Sequence, residues 1–437
     1  MTRRELLALG APCALGLMRG RARSAILPAD CIIRIAEINL ELGPGHTVKT
    51  LAYNGQSPGP LLRMKEGRPV VVEVVNESAT PEMVHWHGFH IPPEVDGSHE
   101  EGTPMVAAGG SRRYAFTPQP AGTRWYHTHS VAGHDLRKAT YSGQFGMVIV
   151  EGGDNPGAYD LEVPVVLHEW DGFFSPRKDG DIDYKTFSVN GKMLGAGEPI
   201  RVRPSQRVLF RFLNASATLK HRLALPQHSF QVVALDGNPV ATAASVPVVE
   251  LGPAERIDAL VEMKSPGVWI LGEADDRQRT AGAGIVVEYA GARGPARWSA
   301  PPAFTWDYRA FGADRELPQP DEVIPLVFEP QMNGHLYSIN GKSFPDTDPI
   351  RVKPGSRSRL VFDNRSGEEH PMHLHRHTFE LARYAGQRTA GVLKDVVVVP
   401  AHQAVEVDLV ANHPGPSLFH CHQQFHMDFG FMALMEY

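Results

Sequence analysis

The sequence contains few cysteines and no long hydrophobic run. Three cysteines, Cys13, Cys31 and Cys421, occur in 437 residues, which is too few for a fold that depends on disulfides. No stretch approaches the roughly eighteen consecutive apolar residues that a transmembrane helix needs, so no membrane span is expected. The net charge of −6 argues against a nucleic-acid partner, because such proteins usually carry a basic surface.

Helical periodicity is also scarce, whereas turn-forming residues are common. The chain has 42 glycines and 36 prolines, and they separate short runs that are rich in β-branched residues. Runs of this kind, bounded by Gly, Pro and Asn, are typical of strands. The pattern predicts an all-β protein built from antiparallel two-sheet sandwiches.

An internal repeat divides the chain. An Asn-Gly pair, a proline and an apolar run follow one another three times, beginning at Asn54, Asn190 and Asn340. Self-similarity of this kind indicates three domains of one type. The predicted boundaries are residues 26–153, 157–290 and 321–437 for the domains, and 291–320 for a proline-rich linker before the third.

The first residues are predicted to be a targeting segment. Arg3 and Arg4 match a twin-arginine pattern, an apolar run follows, and small residues near Ala25 would allow cleavage. Residues 1–25 are therefore expected to direct export to the periplasm by the twin-arginine route. The alternatives are an ordinary N-terminus and a lipid anchor at Cys13.

Four motifs of the sequence contain a pair of histidines with the spacing His-x-His. Residues two apart on a strand share one face, so each pair can place two imidazoles at one metal site. One pair would be weak support, but two pairs fall in the first domain and two in the third. Together they suffice for three metal ions between these domains. The pairs are His85 and His87, His127 and His129, His373 and His375, and His420 and His422.

The middle domain lacks such a pair. When its His221 is aligned with His370, Ala224 and Pro226 stand where the third domain has its first histidine pair. The alignment predicts a copy without metal ligands that holds the other two domains apart.

Cys421 lies between two of these histidines and is predicted to be a metal ligand. A thiolate close to several imidazoles forms the ligand set that copper prefers. Because neighbours on a strand point to opposite faces, Cys421 should face a different site from His420 and His422. A short turn would bring His426 back to Cys421. The alternative is a surface histidine cluster on a flexible tail, which the apolar residues from Phe429 onward disfavour.

Four motifs together resemble the copper motifs of the three-domain multicopper oxidases, the laccase-like family. They are His85-Trp86-His87-Gly88, Trp125-Tyr126-His127-Thr128-His129, His370-Pro371-Met372-His373-Leu374-His375, and His420-Cys421-His422 with His426. The resemblance covers the chain beyond residue 25. It implies three consecutive cupredoxin-like Greek-key β-sandwich domains and four copper ions, one of type 1, one of type 2 and two of type 3.

The resemblance also implies which residue binds which ion. The type 1 ion would be held by His370, Cys421 and His426, and the type 2 ion by His85 and His373. The type 3 pair would be held by His87, His127, His129, His375, His420 and His422. Such an enzyme oxidises a small reducing substrate, for example a phenol, one electron at a time and reduces dioxygen to water.

The chain departs from the family at the axial position of the type 1 site. Relatives often carry a methionine where this sequence has Phe431. A phenyl ring cannot coordinate, so we expect a three-coordinate type 1 site with a raised potential. The alternative is that Met427 or Met432 approaches the copper.

The type 2 and type 3 ions would together form a trinuclear copper cluster where dioxygen is reduced. Oxygen reduction consumes protons, so a carboxyl group near this cluster is expected. Asp96 stands where family members carry such a group, although an Asp before Gly97 is also typical of a turn. A second acid close to His426 is common in relatives, and here only Asp428 could serve.

The identity of the electron donor stays open. The absence of a methionine-rich insert favours a general laccase-like enzyme over a specialised cuprous or metal-ion oxidase of copper tolerance. A copper-free periplasmic scaffold of the same fold would have broken ligand motifs, and these motifs are intact. A copper nitrite reductase would not combine all four motifs. The protein is expected to act as a monomer.

Overall fold

The structure, a computed structural model, describes residues 28–152, 157–176, 181–331 and 336–437. The predicted targeting segment, residues 1–25, lies outside the described residues, as does Cys13. In the part that is described, no helix is long and apolar enough to cross a lipid bilayer.

The first domain packs two sheets against each other. Its strands are β1 (Cys31–Gly43), β2 (His46–Tyr53), β3 (Leu62–Lys65), β4 (Val70–Asn76), β5 (Val84–His87), β6 (Ser111–Phe116), β7 (Gly122–Thr128) and β8 (Phe145–Glu151). One sheet has the order β2-β1-β4-β6 and the other β3-β8-β7-β5. The second sheet carries the predicted histidine pairs of this domain.

The middle domain repeats this arrangement with longer sheets. Its strands are β9 (Leu161–Trp170), β10 (Phe173–Phe174), β11 (Ile182–Asp183), β12 (Thr186–Val189), β13 (Ile200–Val202), β14 (Arg207–Asn214), β15 (His221–Ala224), β16 (Phe230–Leu235), β17 (Asn238–Val246), β18 (Val249–Leu251), β19 (Arg256–Glu262), β20 (Val268–Glu273) and β21 (Gly284–Tyr289). The sheets run β12-β9-β14-β19-β16-β17 and β13-β21-β20-β15-β18, and β10 pairs with β11.

The third domain has the same plan. Its strands are β22 (Glu322–Pro330), β23 (Tyr337–Ile339), β24 (Ile350–Arg351), β25 (Arg357–Asn364), β26 (His370–Leu374), β27 (Phe379–Tyr384), β28 (Gln387–Arg388), β29 (Leu393–Lys394), β30 (Val396–Val399), β31 (Ala404–Val410), β32 (Ser417–Cys421) and β33 (Met432–Glu436). One sheet runs β23-β22-β25-β31-β27-β28 with β29 on β27, and the other β24-β33-β32-β26-β30.

Helices are short in the described ranges. The α-helices are α1 (Pro93–Asp96), α2 (Asp276–Thr280) and α3 (Gln424–Asp428), and 3₁₀ turns cover Ala139–Tyr141 and Tyr308–Phe311. The sequence prediction of a protein without long helices is therefore confirmed. His426, expected beyond a short turn after Cys421, lies within the short helix α3.

Matching parallel pairs identify the three domains as one fold. β1 pairs in parallel with β4, β9 with β14, and β22 with β25. In the opposite sheets, β3 pairs in parallel with β8, β13 with β21, and β24 with β33. The prediction of three cupredoxin-like β-sandwich domains is confirmed.

Alternating burial explains why these segments form half-buried strands. In β25 the side chains of Ser358, Leu360, Phe362 and Asn364 are buried, and the residues between them are partly exposed. This period of two places one face of the strand in the core.

The predicted linker is tied to the domains by aromatic side chains. Trp306, Tyr308 and Phe311 are buried and belong to a hydrophobic core that continues from the middle domain into the third. The linker therefore helps to fix the relative positions of these two domains. The boundaries predicted at residues 153, 157, 290 and 320 stay predictions.

Candidate metal centre

The first domain contributes four histidines from two paired strands. His85 and His87 lie on β5, and His127 lies on β7 directly opposite His85. His129 follows the end of β7. The two-residue spacing within each pair brings both of its rings to one side of the sheet.

The third domain contributes the other four in the same way. His373 on β26 lies opposite His420 on β32. His375 and His422 follow the ends of these two strands. The predicted pairs of each domain thus lie on neighbouring strands.

The two sets of imidazoles meet across the domain interface. The ring centroids of His85 and His375 are 3.9 Å apart, and those of His87 and His373 are 3.8 Å apart. All eight rings are buried except that of His129, which is partly exposed. The structure therefore brings together all the predicted ligands of the type 2 and type 3 ions.

Backbone hydrogen bonds orient several rings. His127 Nδ1 donates to the carbonyl of Thr128 at 2.7 Å, and His420 Nδ1 donates to that of Cys421 at 2.9 Å. With Nδ1 used in this way, Nε2 is the atom left to bind a metal.

Other ring nitrogens are buried with nothing to bind. In the described part of the chain, no hydrogen-bond partner is found for Nε2 of His85, His129 and His373 or for either nitrogen of His422. Leaving one buried polar atom unpaired costs about 1–3 kcal/mol. Several such atoms in one place fit a site that binds metal ions.

Burial favours the neutral form of most of these rings. Burial first, and the charge of neighbouring imidazoles second, lowers the pKa of His129 to about 4 and that of His422 to about 3. The same causes lower the pKa well below its ordinary value in His87, His127, His373, His375 and His420. Neutral imidazole is the form that binds a metal ion.

A second group forms around Cys421 inside the third domain. Its Sγ lies 3.5 Å from Nδ1 of His426 and 3.9 Å from Nδ1 of His370. The other nitrogen of His370, Nε2, is 2.7 Å from Ser366 Oγ, which leaves Nδ1 facing the sulfur. Burial raises the pKa of the Cys421 thiol, so a thiolate here needs a cation, and a coordinated metal ion supplies one.

Phe431 closes this second group. Its ring is fully buried, and its centroid lies 4.9 Å from that of His370 and 5.3 Å from that of Tyr337. Met427 instead lines a small cavity with histidines of the first group, and Met432 pairs with His420 on the neighbouring strand.

Asp96 bridges the two end domains. Its Oδ2 accepts a hydrogen bond from His375 Nδ1 at 2.8 Å and lies 3.1 Å from His85 Nδ1. The carboxylate is fully buried at the end of α1. It therefore contacts one predicted ligand from each end domain.

Glu101 is a neighbouring acid that sequence reasoning missed. Its Oε1 lies 3.4 Å from His375 Nδ1 and accepts a hydrogen bond from the Leu418 N–H at 2.6 Å. Burial first, and the charge of Asp96 second, raises the pKa of Glu101 well above its ordinary value. In the sequence Glu101 follows Glu100, which is only partly buried, and no motif distinguishes one glutamate from the other.

Asp395 was missed as well. Its Oδ1 lies 3.1 Å from His87 Nε2, and its carbonyl oxygen accepts a hydrogen bond from His373 Nδ1 at 2.8 Å. The only sequence signal was an acid next to Lys394 before an apolar strand.

The middle domain places a histidine between two carboxylates where the third domain has a predicted metal ligand. His221 begins β15 as His370 begins β26. Its ring is held between Glu169 and Glu273, with Nδ1 3.0 Å from Glu273 Oε2. Burial disfavours the charged ring, but the two carboxylates outweigh it and raise the pKa of His221 to about 10.

A cavity of about 370 Å³ opens beside His426. Four carboxylates line it, those of Asp181, Asp183, Glu368 and Glu369. Glu368 Oε2 lies 3.6 Å from His426 Nε2, so the acidic wall reaches the edge of the Cys421 group.

Comparison with known proteins agrees with this geometry. Three family models, each described as multicopper oxidase, match residues 34–155, 173–290 and 316–437. The chain is 30% identical to Multicopper oxidase MmcO of Mycobacterium tuberculosis over 440 residues, which cover 91% of this chain and 85% of the relative. It is 25% identical over 481 residues to a laccase of Pycnoporus cinnabarinus, covering 95% of this chain and 90% of the relative.

A solved structure is similar over nearly the whole chain. The multicopper oxidase of Pseudomonas thermotolerans is 25% identical, with a TM-score of 0.73, and the match covers 94% of this chain and all of that one. The fold and the histidine-cysteine site define a copper-dependent oxidoreductase. The chain belongs to the multicopper oxidase family, and it is a laccase-like enzyme that uses oxygen as the electron acceptor.

Proposed function

We propose that the chain holds four copper ions and couples one-electron oxidation of phenolic or other reducing substrates to the reduction of dioxygen to water. The proposed type 1 ligands are His370, Cys421 and His426, and the type 2 ligands are His85 and His373. The proposed type 3 ligands are His87, His127, His129, His375, His420 and His422.

The position of Cys421 on β32 carries this proposal. Its sulfur faces His370 and His426, whereas the rings of the adjacent His420 and His422 lie in the other group. The covalent bonds between these three residues would give electrons a continuous path between the two groups.

Bound copper supplies the one-electron redox chemistry, and four electrons with four protons convert one dioxygen into two waters. The chain's own residues bind, orient and protonate. Asp96 is the proposed proton donor, because its buried carboxylate contacts ligand rings from both end domains. Phe431, packed on His370, offers no donor atom, so a copper ion held by His370, Cys421 and His426 would gain no ligand from it and would have a raised potential.

The proposal extends to the cellular setting. Residues 1–25 would direct export to the periplasm by the twin-arginine route, and the enzyme would act as a monomer on a small reducing substrate. Fractionation of cells before and after replacement of Arg3 and Arg4 by lysine tests the route, and the oligomeric state is read from light scattering.

Metal analysis with visible and EPR spectra of the purified protein tests the ligand assignment. We expect four coppers per chain, an intense blue band and four electrons drawn from the donor per dioxygen consumed. A colourless protein that takes up no copper would instead support a scaffold.

A second candidate function is oxidation of a metal ion. The acidic cavity beside His426 favours it, because carboxylates attract a cation towards the edge of the type 1 site. Lys220 forms ion pairs with Glu369, which lines this cavity, at 2.8 Å, and with Glu250 at 3.3 Å.

Glu250 provides a matched control, because it shares Lys220 but does not line the cavity. If metal ions are the substrate, Glu369→Gln raises the KM for cuprous or ferrous ion several-fold and leaves the KM for a neutral phenol unchanged. Glu250→Gln should change neither. If the KM for the metal ion is the same in Glu369→Gln and wild type, metal-ion oxidation is the wrong candidate and phenol oxidation remains the proposed function.

A further inference from the structure

The carboxylate of Asp395 is held by the other two domains. Both of its oxygens accept hydrogen bonds from Arg256 on β19 of the middle domain, at 2.7 Å to Nη1 and 2.6 Å to Nη2. Arg124 of the first domain places Nη1 3.6 Å from Oδ2. All three side chains are at most 1% exposed. The buried carboxylate of Asp395, in the third domain, is therefore hydrogen-bonded to the middle domain and ion-paired with the first.

The same residue fixes two histidines of the cluster. His87 Nε2 lies 3.1 Å from Asp395 Oδ1, so the ring presents Nδ1 on its other side. That Nδ1 lies 3.4 Å from His127 Nε2. His373 uses Nδ1 on the carbonyl of Asp395, which leaves its Nε2 free. Asp395 therefore determines which nitrogen of each ring is left to bind a metal ion.

Arg256 is itself held rigidly. Its Nε donates to the carbonyl of Thr123 at 3.3 Å, Nη1 to that of Ala254 at 3.1 Å, and Nη2 to that of Asp236 at 3.1 Å. These hydrogen bonds fix the planar guanidinium of Arg256 in one orientation towards Asp395. A lysine at this position keeps the charge but cannot make two parallel hydrogen bonds.

We propose that Arg256 and Asp395 are positioning residues for the trinuclear copper cluster, so that the middle domain helps to build a site to which it gives no ligand. The inference rests on the proposed ligand roles of His87 and His373. The sequence-based interpretation of the middle domain as a spacer is incomplete, because its Arg256 acts on His87 through Asp395.

A second buried Arg-Asp pair offers a matched control. Arg211 Nη1 lies 2.6 Å from Asp258 Oδ2, and both side chains are at most 8% exposed. Asp258 also accepts hydrogen bonds from Thr123 of the first domain, at 2.7 and 2.8 Å. The pair joins two domains as Arg256 and Asp395 do, but among the described contacts it reaches no histidine.

The test compares wild type with Asp395→Asn, Arg256→Lys and Asp258→Asn after loading with copper. Copper per chain and the EPR signal report the cluster, and the blue band reports the type 1 site of the third domain. In Asp395→Asn an NH₂ group replaces one carboxylate oxygen and faces the N–H donors of Arg256. The two parallel hydrogen bonds to the guanidinium are therefore broken. We expect about 10- to 100-fold weaker copper binding at the cluster in the first two variants, with the blue band retained. Asp258→Asn should bind copper as the wild type does.

A second measurement needs no copper. In the metal-free protein, ¹⁵N NMR of labelled histidine reports which ring nitrogen carries the proton. We expect His87 to be protonated at Nε2 in the wild type and in Asp258→Asn, and to populate both tautomers in Arg256→Lys. This comparison of His87 tautomers does not depend on Asp395→Asn, so it can be made even if that variant does not fold.

Three results would overturn the inference. Wild-type copper binding and a single His87 tautomer in Asp395→Asn or Arg256→Lys would remove the positioning role. Equal copper loss in Asp258→Asn would assign the effect to domain docking in general. A wild type that binds no copper would remove the proposed function, and this inference with it.

Discussion

Asp96 and His375 are joined by a hydrogen bond of 2.8 Å although their positions in the chain differ by 279. The bond crosses from the first domain to the third in a fully buried place. It links a carboxylate to a predicted copper ligand without making that carboxylate a ligand. Asp96 is thus placed to hold and deliver a proton near the cluster.

Replacing Asp96 by asparagine should slow oxygen reduction with little effect on copper content. The amide keeps the shape and can still accept a hydrogen bond, but it cannot give up a proton. Loss of one acid-base group costs about 10²- to 10⁴-fold in rate. Oxygen uptake by variant protein with four coppers provides the measurement. Glu94→Gln, an exposed acid on the same helix, is the control, and an unchanged rate in Asp96→Asn refutes the role.

Cys421→Ser should remove the blue band and stop oxidation of the reducing substrate. A hydroxyl is a harder and much weaker acid than a thiol, so it does not replace the thiolate on copper. The proposed cluster ligands are other side chains, so three of the four proposed coppers should remain. Metal analysis and the visible spectrum measure both effects. Cys31→Ser, a half-buried cysteine on β1, should keep the colour; a blue Cys421→Ser protein would disprove the type 1 assignment.

Phe431→Met should lower the potential of the type 1 site. A thioether in the axial place stabilises Cu(II) more than Cu(I), so the oxidised state gains. Redox titration of both proteins measures the change. Phe362→Met is a suitable control, since that ring packs on Phe328 and Phe419. Equal potentials in Phe431→Met and wild type would mean that the ring does not occupy the axial place.

His221→Gln should destabilise the fold mainly at low pH. The folded pKa of His221 is raised to about 10 from an unfolded value of 6.5. A protonated ring therefore contributes fully below about pH 6.5, and its contribution is lost as the pH rises towards 10. Urea unfolding of the metal-free variant and wild type across this range measures the difference. It should shrink with rising pH, while His46→Gln, at an exposed site, shows no such trend; a constant difference contradicts the prediction.

Short-range patterns predicted much of the fold and of the candidate site. Strand alternation placed Cys421 on the opposite face from His420 and His422, and the structure has this arrangement. The repeat predicted three similar domains, and the parallel pairs β1 with β4, β9 with β14 and β22 with β25 confirm them. These features depend on spacing within a few residues or on repetition, and both are visible in one sequence.

Partners that meet only after folding could not be predicted. Asp395 and Arg256 stand in strand-rich segments where a charged residue usually faces solvent, and nothing nearby indicates that they pair. Glu101 lies beside another glutamate, and only the approach of His375 distinguishes it. A buried ion pair owes its stability to a distant partner, and a single sequence does not specify that partner.

The proposed cluster is divided between the two end domains. Four of its eight proposed histidines precede residue 130, and the other four stand from residue 373 to residue 422. A fragment that contains only one end domain would therefore lack half of the proposed ligands and could not assemble an oxygen-reducing centre.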